Sequence, residues 1–154
     1  MAVPLKFGQR ISVEENEQGY ISWQSIAHDG SAWFNGKYDS KNFGIIESSN
    51  TDIAIYPQRL LIAAKKLNPA FCHSAKGFHV ISTLNYPLLW GLGSSSTLIA
   101  AVAGWAEIDP FQLHFEVSKG SGYDIACAIS DGPINYSVRG SKPEFYRVTF
   151  LPSF

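Results

Sequence analysis

Trp90-Gly91-Leu92-Gly93-Ser94-Ser95-Ser96-Thr97 stands where a strand gives way to a helix, and the fold is decided there. Upstream, Phe78, Val80, Ser82 and Leu84 alternate with His79, Ile81 and Thr83, the period of a strand, which Pro87 ends. Downstream, Leu98, Ala101, Val102, Trp105 and Ile108 recur at helical spacing and predict a helix to about Ile108. The glycines and hydroxyls therefore sit at a helix start, where backbone N–H groups lack intrahelical partners and a partial positive charge favours an anion. Gly91 and Gly93, without Cβ atoms, let the backbone come close to a ligand. The plainer alternative is a turn whose serine caps the helix. Two phosphate motifs are excluded: no Gly-Lys-Ser/Thr ending makes a Walker loop, and the third glycine of the dinucleotide fingerprint is missing.

Pro87-Leu88-Leu89-Trp90-Gly91-Leu92-Gly93-Ser94-Ser95-Ser96 resembles the second motif of the GHMP kinases (galactokinase, homoserine, mevalonate and phosphomevalonate kinases), Pro-x-x-x-Gly-Leu-Gly-Ser-Ser-Ala, with Ser96 at the usual alanine. Gly120-Ser121-Gly122-Tyr123-Asp124-Ile125-Ala126, about 30 residues on, is similar to the Ser-Gly-x-Asp-x-Ala segment of the mevalonate kinase branch. Its Gly-Tyr-Asp-Ile-Ala wording also resembles a bacterial subgroup of these kinases. The resemblance implies transfer of the γ-phosphate of ATP to a small hydroxylated or phosphorylated metabolite, mevalonate-like. The backbone of Gly91, Leu92, Gly93, Ser94, Ser95 and Ser96 would cradle the phosphates, Ser95 would hold Mg²⁺, and Asp124 would be the catalytic carboxylate. Glu116 matches the region of a Mg²⁺-ligating glutamate in that branch, at a shorter spacing, with a solvent-facing role as its alternative. Taken alone, Asp124 is an acidic residue in a first helical turn, where it complements the dipole.

The same resemblance marks departures. The family's first motif, a strand and a Gly-Lys-x-x-x-x-Gly-Glu type segment that supplies a lysine, has no counterpart before Ala2-Val3-Pro4. The glycine-rich third motif of a C-terminal domain has none before Leu151-Pro152-Ser153-Phe154. The expectation is one incomplete N-terminal kinase domain over residues 1–154, similar to ribosomal protein S5 domain 2. The competing expectation is a non-catalytic nucleotide-binding or self-associating module, a homodimer formed through apolar residues such as Phe145, Phe150, Leu151 and Phe154.

Composition narrows the field. With 154 residues, 45% of them hydrophobic, the chain can bury one sizeable core. The net charge of −1 and the lack of Lys/Arg runs argue against nucleic acid and anionic membranes as partners. Apolar runs fall far short of the roughly 20 residues that span a bilayer. Cys72 and Cys127 lack metal-type spacing and nothing at the N-terminus reads as a signal sequence, so a cytoplasmic location is expected. Asn135-Tyr136-Ser137 then matches a glycosylation triplet by chance. His28, His73, His79 and His114 share no metal-site spacing.

In order, Ile11 and Val13 mark a half-buried strand, and Tyr20–Ile26 and Ser31–Tyr38 a hairpin whose aromatics Tyr20, Trp23, Trp33, Phe34 and Tyr38 read as core. A short strand is expected at Gly44–Glu47. A helix follows, capped by Thr51 or Asp52 or else begun by Pro57, with Lys65 and Lys66 in its last turn. Asp109-Pro110 starts another helix through Lys119, Ile125–Ile129 is helical, and Ile134–Val138 and Tyr146–Phe150 are strands around Gly140–Pro143. The sum is an α+β fold, helices covering one face of a mixed or antiparallel sheet.

Overall fold

The computed structural model describes residues 1–73, 76–140 and 142–149. Its strands are β1 (Gln9–Asn16), β2 (Tyr20–Ile26), β3 (Ala32–Asp39), β4 (Ile45–Ser48), β5 (Gly77–Leu84), β6 (Ile134–Arg139) and β7 (Lys142–Arg147). The helices are α1 (Thr51–Leu67), α2 (Ser94–Trp105), α3 (Pro110–Val117) and α4 (Tyr123–Ala128), with a 3-10 turn at Leu88–Trp90. Five strands form one sheet in the order β1-β5-β2-β3-β4. It is mixed, because β5 runs antiparallel to β1 and parallel to β2, while β2–β3 and β3–β4 are antiparallel. The α+β expectation holds, with one difference: β6 and β7 do not join this sheet but pair with each other.

Alternation explains which face the helices cover. Ile21, Trp23 and Ser25 of β2, Phe34 and Tyr38 of β3, and Phe78, Val80, Ser82 and Leu84 of β5 are all buried. They pack with Leu60, Leu61, Ile99, Val102 and Leu113 of the helices. The serines within this face bond to each other: Ser82 Oγ donates to Ser25 Oγ at 2.9 Å, which also accepts Trp23 Nε1–H at 3.2 Å, so their burial leaves no hydroxyl stranded. Tyr38 donates its phenol to the Ala54 carbonyl at 3.1 Å and ties β3 to α1; burial drives that phenol well above its ordinary pKa. The opposite face carries the polar row Glu14, His79, Ser22, Lys37 and Glu47, aligned by register across all five strands.

Several boundaries differ from those read off the sequence. The cap of α1 is Asn50, whose Oδ1 accepts from the Asp52 and Ile53 N–H groups. Neither Thr51 nor Asp52 caps it, and Pro57 lies inside the helix rather than at its start. An interior proline costs about 3 kcal/mol. Complete burial of Leu60 and Leu61 just beyond it, at about 1.5–3 kcal/mol each, outweighs that cost. Helix α2 stops at Trp105, short of Ile108, because Glu107 turns left-handed at φ 54°. Ile108 N–H then bonds to Ala103 O and Glu107 N–H to Gly104 O, the two bonds of a Schellman ending. Helix α3 ends at Val117, not Lys119. Strand β7 begins earlier than expected, since Arg139 already pairs with Lys142; Val148 lies beyond it, and Phe150, Leu151 and Phe154 lie outside the described residues. Trp33 is 37% exposed rather than core. Among the described residues no helix is long and apolar enough to cross a membrane.

Removing the Asn50 cap tests this account of α1. Asn50→Ala should cost about 1 kcal/mol, a fall of roughly 2–4 °C in Tm, while Asn50→Asp, which keeps an acceptor, should leave Tm nearly unchanged. Thermal unfolding followed by circular dichroism reads both.

Candidate functional site

The glycine loop owes its shape to two left-handed residues. Gly91 has φ 67° and Gly93 φ 71°, a conformation that costs a residue with a Cβ roughly 1–2 kcal/mol. Gly93 is the N-cap of α2 and no side chain caps this end. The first intrahelical bonds run from the Ser96 and Thr97 N–H groups to the Gly93 carbonyl, both 3.0 Å, so the Ser94 and Ser95 N–H groups precede the ladder. Upstream, Trp90 meets the ring of Phe7 edge-on at 5.5 Å, which joins the N-terminal strip to the loop.

Asp124 arrives from the other side. It lies in the first turn of α4, whose N-cap is Gly122 at φ 85°, and its side chain makes no capping bond. The turn before it is held twice. His114, buried on α3, bonds through Nε2 to the Gly120 carbonyl at 3.0 Å, which makes Nε2 the N–H nitrogen. The Tyr136 hydroxyl of β6 donates to the Ser121 carbonyl. His114 was given no chemistry from the sequence; its role is this contact.

These elements converge on one cleft of about 580 Å³. Gly91, Leu92 and Gly93 form one part of its wall and Asp124 another. They are close: a Cβ built on Gly93 would lie 3.7 Å from Asp124 Cγ. The third wall is the N-terminal strip with Val3, Leu5 and Phe7, placed by main-chain bonds between Ala2 and Ile134 of 2.7 and 2.9 Å. Sequence reading assigned this strip no part in a site. Its signal is a short apolar run from Ala2 to Phe7, which does not reveal that Ala2 pairs with Ile134.

The serines divide. Ser94 and Ser95 line a second, apolar cleft of about 410 Å³ with Trp33, Tyr56, Leu88 and Leu98. Ser96 is buried and lines neither cleft. Tyr56 donates to the Ser95 carbonyl at 3.4 Å, so α1 and the loop are joined there. Glu116 is not brought to either cleft; its carboxylate pairs with Lys66 of α1 at 2.7 Å. Lys65 donates to the Phe71 carbonyl at 2.6 Å, so both lysines tie α1 to neighbouring segments. Among the described residues no three His, Cys, Asp or Glu side chains cluster as a metal site.

Cys127, one turn after Asp124, also lines the larger cleft. Partial burial raises its thiol pKa first, and the Asp124 carboxylate raises it further. Burial pushes the Cys72 thiol up to about 12, and Cys72 lines neither cleft. Comparison with protein families, curated proteins and solved structures gives no match to this chain.

The proximity of Asp124 and Cys127 is open to test. At pH 8, Asp124→Asn removes one of the two causes that raise the thiol pKa, so iodoacetamide should alkylate Cys127 faster, by a factor below about ten. Peptide mass spectrometry over a time course measures the rate, and an unchanged rate would separate the two side chains.

Proposed function

We propose that this chain is the phosphoryl-transfer region of an ATP-dependent small-molecule kinase of the GHMP type, with an S5 domain 2-like arrangement of sheet and helices. The observation that carries the reading is the meeting of Gly93 and Asp124, distant in sequence, on one cleft. These are the two motifs on which the resemblance rests. Neither by itself would distinguish a phosphate site from a capped turn.

The two clefts suit the parts of the nucleotide. The apolar one, with Trp33 and Tyr56, would take the base, since aromatic rings offer it flat surfaces. Phosphates would pass over the start of α2, where Ser94 and Ser95 present N–H groups and hydroxyls. Among the described residues no basic side chain lines the larger cleft, so backbone dipoles would carry the attraction on this side. Mg²⁺ commonly takes only one or two protein oxygens beside phosphate oxygens, so a three-carboxylate cluster is not required. The Ser95 hydroxyl is the oxygen donor beside the loop; Mg²⁺ held there would neutralise phosphate charge. Glu116 enters this account only if it leaves Lys66.

In transfer, the acceptor hydroxyl gives its proton to Asp124, its oxygen forms the new bond to the γ-phosphorus, and the bond to the β-phosphate oxygen breaks to release ADP. The Gly120–Gly122 turn, held by His114 and Tyr136, would fix where that proton is taken.

A second reading has its own observation. Leu89 is 98% exposed and Trp90 57% just before the glycine loop, and Leu5, 58% exposed, lines the cleft; a second copy of the chain would cover this apolar surface. Sedimentation at rising concentration separates the two, because the self-associating module requires a dimer.

Titration calorimetry with Mg·ATP tests the kinase reading. The parent should bind saturably, and Gly93→Val, forced to carry a side chain at a left-handed position beside the phosphates, should lose about tenfold or more in affinity. Asp124→Asn should retain nucleotide binding and lose transfer by at least about a hundredfold in an assay with acceptor. Failure of the parent to bind, or full transfer by Asp124→Asn, would overturn it.

A further inference from the structure

The larger cleft differs from what a phosphorylated or carboxylate-bearing acceptor would need. Among the described residues, Asp124 is the one lining it that carries a formal charge, and that charge is negative. Lys6 lies between Leu5 and Phe7 in the N-terminal strip, yet only those two neighbours line the cleft. The rest of the lining sets hydrocarbon from Val3, Leu92, Ala100, Ala101 and Ile129 beside the uncharged polar groups of Gln9, Thr97, Tyr123, Cys127 and Ser130. The Thr97 hydroxyl donates within the wall, 3.2 Å from Gln9 Oε1 and 3.0 Å from the Ser94 carbonyl, and the Ser130 hydroxyl donates to the Ala126 carbonyl at 2.6 Å.

We propose that this cleft receives an uncharged alcohol with a hydrocarbon body, and discriminates against hydroxy acids and phosphorylated alcohols. The acceptor role of the cleft is taken from the kinase reading; its preference follows from charge and burial. Away from the start of α2, where backbone N–H groups meet phosphate, an anionic group among Val3, Ala100, Ala101 and Ile129 would have no cation to replace lost hydration and would be repelled by Asp124. A hydroxyl has the opposite outcome. It can donate to the Asp124 carboxylate, while the methylene body covers Val3, Leu92 and Ile129. The alanines at positions 100 and 101 leave the room for that body on the α2 side.

The test is a titration of the chain with hexanediol and with hydroxyhexanoate, matched in length, followed by two-dimensional NMR of the backbone amides. Hexanediol should shift the amides of Gly91, Gly93 and Asp124 and bind at least about tenfold more tightly than hydroxyhexanoate. Asp124→Asn should narrow that ratio, because the repelling charge is gone. Ala101→Trp, which fills the cleft, should abolish the shifts; if it does not fold, Val3→Trp on the opposite wall serves instead. Equal or tighter binding of hydroxyhexanoate, no shift with either probe, or shifts that survive both filling variants would overturn the proposal. The kinase reading is judged separately by the Mg·ATP titration. Loss of nucleotide binding with the diol preference intact removes the kinase and keeps the cleft's specificity, whereas a reversed preference with nucleotide binding intact does the opposite.

Discussion

Strand β5 is hydrogen-bonded on both sides, antiparallel to β1 from Gly77 to Leu84 and parallel to β2 from Phe78 to Thr83. Everything beyond it depends on that double pairing. A parallel neighbour requires a crossover, and β3, β4 and α1 provide it on the way from β2 to β5. With its place in the sheet interior secured, β5 delivers the chain to Pro87 and the glycine loop at a defined end of the sheet, and α2 turns back over the buried face. The pairing also explains Gly77. A Cβ there would fall on the Tyr20 carbonyl oxygen and Asn16 Oδ1, so the first residue of β5 has room for no side chain.

The second constraint is longer in range. Main-chain bonds between Ala2 and Ile134 bring the N-terminal strip beside β6, and β6 in turn supplies Tyr136 to the turn before Asp124. Tyr136 also meets Tyr123 edge-on at 5.5 Å. The start of the chain, the glycine loop and the Asp124 turn thereby form three walls around one space. The result is a lopsided environment, with hydrocarbon on two sides and a carboxylate opposite a helix N-terminus. The proposed binding of an alcohol and of phosphate rests on that asymmetry. In the polar row on the uncovered sheet face, Ser22 and His79 lie 2.7 Å apart and Lys37 and Glu47 2.8 Å apart, so these four side chains pair with one another.

Much of the candidate site was legible residue by residue. Gly91 and Gly93 read from the sequence as positions where the backbone can come close to a ligand, and Asp124 falls in a helical first turn on local pattern alone. What pattern misplaced were roles that depend on neighbours. Glu116 looked available for a cation, but α1 packs against α3 and puts Lys66 within 2.7 Å of it. All three serines fall in the phosphate cradle that the resemblance implies, yet Ser96 is buried and Ser94 and Ser95 line the apolar cleft, because a helix turns each successive side chain by about 100°. Trp33 read as core, since alternation does not distinguish a covered face from a cleft lip.

The sequence by itself determined the periods, the turns and the chain positions without a Cβ. Those depend on interactions within a few residues, where strand alternation, helix spacing and glycine conformations operate. Two boundaries escaped even so: α2 ends early because Glu107 adopts a left-handed conformation that an ordinary acidic residue does not advertise, and Pro57 sits within α1 because burial beyond it outweighs its cost. Only the tertiary structure decided that Gly93 faces Asp124, that the N-terminal strip forms the cleft wall, and that the last two strands stand apart from the main sheet. Each of those is a choice of partner across long sequence separations, set by which apolar faces bury together.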